Sequence, residues 1–175
     1  MPDLAGLPAG ATVFVDTNIF DLHFRGSSVT CTAFIERVAR GEVTAYVNMQ
    51  VLSDLMHKLM LAEAYSKKLI DKRTATKLKS LLASNRAVAA SLVDYQIQFE
   101  RTLAIGLRVL RITRSLLVET KVERYNHGLM TGDSLHVGNM NRHSTPIRDI
   151  VTCDGDFKHI SSLIVWAPTD VVSWV

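Results

Sequence analysis

Short apolar runs alternate along the chain with longer segments in which apolar residues recur every three to four positions. We predict strands from the apolar runs at residues 13–15, 45–48, 107–112, 147–152 and 163–167. We predict helices from the periodic segments at residues 30–40, 49–65, 72–84 and 86–104, then from Thr113 to before Gly128, and from Thr131 or Gly132 to about Met140. Because strands that alternate with helices form parallel sheets, the pattern predicts an α/β fold with helices on both faces.

No linker rich in proline or glycine interrupts this pattern, and we predict a single domain over residues 1–175. Residues 1–10, MPDLAGLPAG, are predicted to form a short flexible lead. Residues 60–105 form an extended helical region between the second and third strands. Within that region, Asp71 is the predicted N-cap of the helix that follows it.

The composition is typical of a globular protein, with 47% apolar and 21% charged residues. No apolar run reaches about eighteen residues, so we predict no transmembrane helix and no membrane partner. The N-terminus lacks the basic and apolar pattern of a signal peptide. Cys31 and Cys153 have no motif spacing, which predicts neither a disulfide nor a zinc site and suits a reducing, cytoplasmic location.

Aspartates lie at the ends of several predicted elements. Asp16 ends the first strand, Asp154 and Asp156 follow the fourth, Asp133 begins the last helix, and Asp54 follows the second strand. Each has a local alternative, since aspartate caps helices and forms turns in many proteins. The carboxyl ends of parallel strands share one edge of the sheet, however, and ligands bind there. The sequence therefore predicts a cluster of carboxylates at that edge.

Carboxylates this close together repel one another unless a cation neutralises them. Oxygen ligands without a cysteine or histidine cluster favour a hard ion, Mg²⁺ or Mn²⁺. Such an ion binds phosphate oxygens and activates water for an in-line displacement. Together with a net charge of +3 and a pI of about 9.0, the acids predict phosphodiester hydrolysis of nucleic acid.

Four stretches, VFVDTNIF, VLSDL, TGDSLHVGNM and IVTCDGDF, resemble in order the motifs of the PIN-domain nucleases, and most of all the toxin ribonucleases of the VapC type. The matches cover nearly the whole chain. The resemblance implies a PIN-like three-layer α/β/α fold with a central parallel sheet of about five strands. It also implies an endoribonuclease that depends on Mg²⁺ or Mn²⁺ and serves as the toxin of a toxin–antitoxin pair.

By position, the resemblance assigns the catalytic acids to Asp16, Asp54, Asp133 and Asp154. Of these, it implies that Asp16, Asp133 and Asp154 hold the metal directly. The family usually has glutamate where this chain has Asp54, whose side chain is one methylene shorter. The departure implies that Asp54 binds through water or that the metal affinity is lower.

Other residues have supporting roles by the same resemblance. Thr152 matches a small hydroxyl residue before the last acid, and Asp156 matches an accessory acid. We expect Thr17 and Asn18 to hold the Asp16 carboxylate through local hydrogen bonds.

Basic residues are concentrated between residues 57 and 86, which favours a polyanionic partner. We predict a weak RNA-binding surface formed by Lys67, Lys68, Lys72, Arg73, Lys77 and Lys79. The alternative is that these residues lie on solvated helix faces without a ligand.

Apolar residues also form stripes on the helices within residues 50–85. The stripes consist of Met56, Leu59, Met60, Leu61, Leu78, Leu81 and Leu82. Helices that are apolar on more than one side are buried in a core or against another chain, and we predict a homodimer through them. The alternative is that the chain buries the stripes internally. The resemblance implies an antitoxin protein as a second partner.

Two other functions compete with the nuclease. A phosphatase of the haloacid dehalogenase type needs a second aspartate two positions after Asp16, where this chain has Asn18. A non-catalytic PIN-like module would bind RNA or a partner through its basic helices. His136, three residues after Asp133, is predicted to be a buried, hydrogen-bonded histidine rather than a ligand.

Overall fold

A five-stranded parallel sheet forms the centre of the fold in the computed structural model, which describes residues 1–171. The strands are β1 Thr12–Val15, β2 Thr44–Asn48, β3 Arg108–Leu110, β4 Asp149–Val151 and β5 Ile164–Trp166. They lie in the order β3-β2-β1-β4-β5, and every neighbouring pair is parallel. The predicted PIN-like α/β fold, a central parallel sheet flanked by helices, is confirmed.

Nine α-helices connect or follow the strands in the described residues. They are α1 Thr17–Phe24, α2 Val29–Ala39, α3 Met49–Ser66, α4 Ala75–Ser84, α5 Arg86–Ser91, α6 Asp94–Ala104, α7 Arg114–Glu119, α8 Lys121–His127 and α9 Thr131–Arg142. Within that part of the chain, none of them is both long enough and apolar enough to cross a bilayer.

The chain divides into two compact units, which we describe separately. The first comprises Met1–Leu52 together with the chain from Ile105 onward, and the second comprises Ser53–Ala104. The sheet belongs to the first unit. The single domain over residues 1–175 stays a prediction.

The central strand, β1, is apolar because both of its faces are covered. Val13, Phe14 and Val15 are completely buried, as are Ile150 and Val151 of the neighbouring β4. Continuous apolar runs of this kind are typical of parallel strands. Since β2 pairs with one side of β1 and β4 with the other, the chain reverses its direction of winding at β1. A crevice forms at such a point, beyond the carboxyl ends of the strands.

The first ten residues are tied to the sheet by two buried leucines and a bridge, whereas the sequence predicts a flexible lead. Leu4 and Leu7 are 1% and 3% exposed, and Asp3 forms a parallel bridge with Ala167 beyond β5. The Leu4 amide donates to the Ala167 carbonyl over 2.9 Å. The segment thus covers one end of the edge strand β5. Its composition, rich in proline and glycine, gives no indication of this long-range pairing.

In the second unit, Thr74 rather than Asp71 caps α4. The Thr74 hydroxyl accepts a hydrogen bond from the Lys77 amide, whereas the Asp71 carboxylate pairs with the Lys77 ammonium at 3.1 Å. The N-cap prediction for Asp71 is therefore wrong by three residues. Both side chains are good caps, and the backbone between them decides which one is used.

The predicted helix over residues 86–104 is interrupted in the second unit. It consists of α5 and α6, with the buried Leu92 between them. The carboxylate of Glu63 accepts hydrogen bonds from the amides of Val93 and Tyr95 over 2.9 and 2.8 Å. Glu63 lies some thirty residues away in sequence, so local propensity does not reveal the interruption.

The second unit has its own small core. Its buried members are Leu61, Ala64, Ile70, Leu78 and Leu92, and Met60, Leu81 and Leu82 pack against them. Most residues of the apolar stripes therefore pack inside this unit, as expected from the alternative in which the chain buries them internally rather than in a homodimer interface. Met56 is 37% exposed and stands outside this core. The homodimer stays a prediction with less support than the stripes alone suggest.

In the first unit, the helices near the end of the chain pack closely on one another. Thr113 caps α7 as predicted, and the helix expected to continue to Gly128 is divided at Thr120 into α7 and α8. A Cβ at Gly138 of α9 would stand 2.4 Å from the Thr120 methyl group. Glycine is therefore required there, and the close approach holds α9 against α7 and α8.

Candidate metal centre

Asp16 lies at the carboxyl end of β1, where the strand pairing brings it beside Thr152. The register aligns Val15 with Val151, and the Asp16 amide donates to the Val151 carbonyl over 3.0 Å. Asp16 begins α1, yet its side chain makes no capping hydrogen bond. The local alternative, in which Asp16 serves as a helix cap, therefore does not account for its carboxylate.

Thr152 and Asn18 hold the Asp16 carboxylate instead. The Thr152 hydroxyl donates to Oδ2 of Asp16 over 2.6 Å, and the Asn18 amide donates to the same oxygen over 2.7 Å. The Thr152 oxygen accepts from Asn18 and from the Asp154 amide, both over 3.0 Å. Thr17 was also expected to bond the Asp16 carboxylate, but its hydroxyl donates to the Val51 carbonyl over 3.4 Å instead. One oxygen of Asp16 is thus anchored by groups from two strand ends.

The last two acids lie in the turn after β4. Oδ1 of Asp154 accepts a hydrogen bond from the Asp156 amide over 2.9 Å, which closes a short turn around Gly155. Residues Asp156–His159 continue as a 3₁₀-helix, anchored by the fully buried Phe157. Asp133 comes from a different element, the first turn of α9.

Three of these carboxylates converge. One oxygen each from Asp133, Asp154 and Asp156 lie within 4.8 Å of one another. Asp133 and Asp154 are half-buried and Asp156 is exposed. Burial raises the pKa of Asp133 to about 6, and the negative charges of Asp154, Asp16 and Asp156 add to that shift. The electrostatics therefore place Asp16 near the same cluster.

The donor set fits a hard divalent cation. Opposite ligands of an octahedral Mg²⁺ lie about 4 Å apart, since each Mg–O bond is about 2.0–2.1 Å. Three carboxylate oxygens within 4.8 Å of one another are therefore close to the span that one ion requires. All the donors are oxygens, which favours Mg²⁺ or Mn²⁺ over zinc. Asp156, predicted only as an accessory acid, belongs to this group as fully as Asp133 and Asp154.

Asp54 lies in the second unit, in α3, and its side chain is exposed. Its catalytic role stays a prediction. The predicted RNA-binding residues Lys67, Lys68, Lys72, Arg73, Lys77 and Lys79 also belong to that unit. Two of them have carboxylate partners within it, Lys67 with Glu63 and Asp94, and Lys77 with Asp71. Their role in binding RNA likewise stays a prediction.

A buried polar network beneath the site was not predicted. The Asn48 amide, at the end of β2, donates to Nδ1 of His136 and to Oδ1 of Asn139, both over 3.0 Å. The Asn139 amide in turn donates to the Arg111 carbonyl over 2.9 Å. His136 is 5% exposed, so its prediction as a buried, hydrogen-bonded histidine is confirmed. The asparagine that ends the apolar run of β2 is the sequence signal that identifies this network.

This network fixes the helix that carries Asp133. The side-chain amide nitrogen of Asn48 can only donate, so Nδ1 of His136 accepts this hydrogen bond and carries no proton. Its three side chains connect the end of β2 to the middle of α9. Unsatisfied polar groups at this depth would be unfavourable, and the network therefore specifies one position for the helix.

Comparison with known proteins identifies the fold as one found in toxin–antitoxin systems. No protein-family model and no curated protein matches the sequence. Among solved structures, VapBC2 from Rickettsia felis bound to a DNA fragment from their promoter matches with a TM-score of 0.53 and 17% identity. The match covers 89% of this chain and 98% of that chain.

A second similar structure is a toxin–antitoxin complex from Klebsiella pneumoniae. It matches with a TM-score of 0.53 and 12% identity, over 87% of this chain and 95% of that chain. At these identities the likeness establishes the fold, and it agrees with the predicted resemblance to PIN-like proteins of the VapC type.

The Thr152 hydroxyl provides a test of how the Asp16 carboxylate is held. Thr152→Val removes the donor to Asp16 with little change in shape, so we expect the Mn²⁺ affinity to fall about 10–100-fold. Thr152→Ser keeps the hydroxyl and should stay near the wild-type affinity. Calorimetric titration with Mn²⁺ measures both. Equal affinities for the valine variant and the wild type would contradict a role for this bond in metal binding.

The raised pKa of Asp133 provides a test of how strongly burial and, after it, repulsion by the neighbouring acids disfavour its charged form. A carboxyl whose pKa is raised in the folded state holds its proton more tightly there than in the unfolded chain. Its contribution to stability is fully present at a pH below the ordinary pKa of 3.8, and it is lost as the pH rises through about 6. In chelator, Asp133→Asn should therefore melt at a higher temperature than the wild type at neutral pH, and at a similar temperature below about pH 4.

Added Mn²⁺ should raise the melting temperature of the wild type at neutral pH, because binding to the native state stabilises it. The same addition should affect Asp133→Asn much less. A wild type that is more stable than Asp133→Asn in chelator at neutral pH would contradict the proposed repulsion.

Proposed function

We propose that this protein is an endoribonuclease that depends on Mg²⁺ or Mn²⁺ and acts as the toxin of a toxin–antitoxin pair. The observation that carries the proposal is the convergence of Asp133, Asp154 and Asp156, whose oxygens lie within 4.8 Å of one another. Asp16 shares their electrostatic environment. These acids come from the ends of β1 and β4 and from the start of α9, at the crevice where α/β sheets bind ligands.

Each residue of the site has a defined task in this proposal. Asp133, Asp154 and Asp156 would supply oxygens to the cation. Thr152 and Asn18 hold Oδ2 of Asp16, which leaves Oδ1 as the oxygen that Asp16 would offer to the cation. When bound, a divalent cation neutralises phosphate charge and promotes attack by water on the phosphorus. The phosphodiester P–O bond then breaks, and the leaving oxygen takes up a proton.

The sequence motifs, the fold and the charge of the chain support RNA as the proposed substrate. The motifs of the chain resemble those of PIN-domain ribonucleases, and the fold is that of chains found in toxin–antitoxin complexes. The net charge of +3 also favours a polyanion. In the second unit, Lys68, Lys72 and Lys79 are exposed and supply positive charge for binding RNA across sequences.

An antitoxin protein is the proposed partner, because both similar structures are of toxins and antitoxins together. A cytoplasmic location is consistent with the two cysteines, Cys31 and Cys153, which are free thiols. A homodimer is also proposed, although the apolar residues that suggested it pack largely within the second unit.

The experiment that tests the function is RNA cleavage by the purified protein in Mn²⁺, in Mg²⁺ and in excess chelator. We expect cleavage with either ion and none in chelator, because the proposed ligands are all carboxylates. Asp154→Asn should reduce cleavage by at least about 100-fold, since it removes a direct ligand. Glu36→Gln changes an exposed acid on α2 and serves as the control, with wild-type activity expected.

Cleavage that continues unchanged in chelator would contradict the metal-dependent mechanism. Metal-independent RNA binding without cleavage, equal in the wild type and Asp154→Asn, would favour the non-catalytic PIN-like module.

A further inference from the structure

The turn that carries two of the acids also presents a lysine beside them. The turn begins at Asp154, bends at Gly155 and enters the 3₁₀-helix Asp156–His159. The Lys158 amide donates to the Gly155 carbonyl over 3.1 Å, which places these two residues one 3₁₀ turn apart. Side chains three positions apart in a 3₁₀-helix are eclipsed. Lys158 therefore lies over the position where Gly155 has no side chain.

The Lys158 ammonium lies over the turn between Asp154 and Asp156, and it has no carboxylate partner within residues 1–171. Its Nζ lies 3.9 Å from the point that a Cβ on Gly155 would occupy, between Asp154 and Asp156 in the chain. The side chain is exposed, and its Nζ forms neither an ion pair nor a hydrogen bond with any residue in the described range 1–171. The fully buried Phe157 anchors the turn.

An unpaired ammonium on the turn that carries Asp154 and Asp156 is suited to bind an anion that approaches the acids. A cation in the site neutralises the acids, and the attraction between them and the lysine then falls. A lysine ammonium is a compact point charge on a flexible stem and binds phosphate oxygens well. A phosphodiester that contacts a cation among the acids would bring its oxygens within reach of this side chain.

We propose that Lys158 binds a backbone phosphate of the RNA and positions it beside the metal centre. The proposal rests on the proposed nuclease function, and it assigns to Lys158 a role in holding the substrate rather than the metal. The geometry that carries it is the position of the ammonium over Gly155, the residue that separates two acids of the cluster in the chain.

Lys158→Met and Lys158→Arg test this role. The probe is a fluorescent single-stranded oligoribonucleotide, with Ca²⁺ in place of the catalytic ion, and binding is followed by anisotropy at several salt concentrations. We expect Lys158→Met to weaken binding about tenfold, as for a lost charged hydrogen bond. The slope of log affinity against log salt should fall by about 0.7, the value for one phosphate contact on a single strand. Lys158→Arg should retain most of the wild-type affinity.

A second measurement separates this role from a structural one. Calorimetric titration with Mn²⁺ should give Lys158→Met an affinity no lower than that of the wild type, because removal of a positive charge does not disfavour a cation. Lys121→Met removes an exposed lysine from α8 and is the matched control, with RNA affinity expected to stay near the wild-type value.

Two results would overturn the proposal. One is wild-type RNA affinity and salt dependence in Lys158→Met, and the other is a loss of Mn²⁺ affinity, which would show that the lysine supports the turn. A wild-type protein that binds Mn²⁺ at the acids but cleaves no RNA would refute the nuclease function itself. Cleavage abolished in Asp154→Asn, with unchanged RNA binding in Lys158→Met, would refute only the role of the lysine.

Discussion

Repulsion between carboxylates that meet at one edge of the sheet is the constraint on which the site depends. The strand order places β1 between β2 and β4, and the register of β1 with β4 brings Asp16 beside Thr152. Asp133 then joins from α9, and its raised pKa reflects burial and the neighbouring negative charges. The hydrogen bonds to Asp16 hold one acid in place against this repulsion. A cation would convert the same arrangement from an unfavourable one into a binding site.

The polar network around Asn48 has a complementary role. It anchors α9 through His136 and Asn139, while Gly138 on the same helix allows close contact with Thr120. Both features restrain the helix that carries Asp133. A site that gathers like charges requires rigid support, because the repulsion would otherwise separate the elements. The buried polar residues of α9 therefore belong to the structural support of the candidate metal centre.

The fold could be predicted from the sequence because strand formation here follows from local apolar runs, and all five predicted strands are present. The candidate acids could be placed because four of them flank predicted strands or begin α9. Features that depend on residues distant in sequence could not be predicted in this way. Glu63, which lies on α3, accepts a hydrogen bond at the break between α5 and α6. The N-terminal segment pairs with Ala167 near the other end of the chain. Asp156 was expected at this edge of the sheet, but its place beside Asp133 and Asp154 follows from the geometry of the turn around Gly155.

Anomalous diffraction from crystals grown with Mn²⁺ tests most directly whether the acids at this edge of the sheet form a divalent metal site. We predict an anomalous peak among the carboxylates of Asp133, Asp154 and Asp156, with carboxylate oxygens as the protein ligands. Crystals of Asp154→Asn grown under the same conditions should lack this peak. An ordered and exposed acid cluster without any peak, at Mn²⁺ concentrations that saturate binding in solution, would contradict the account.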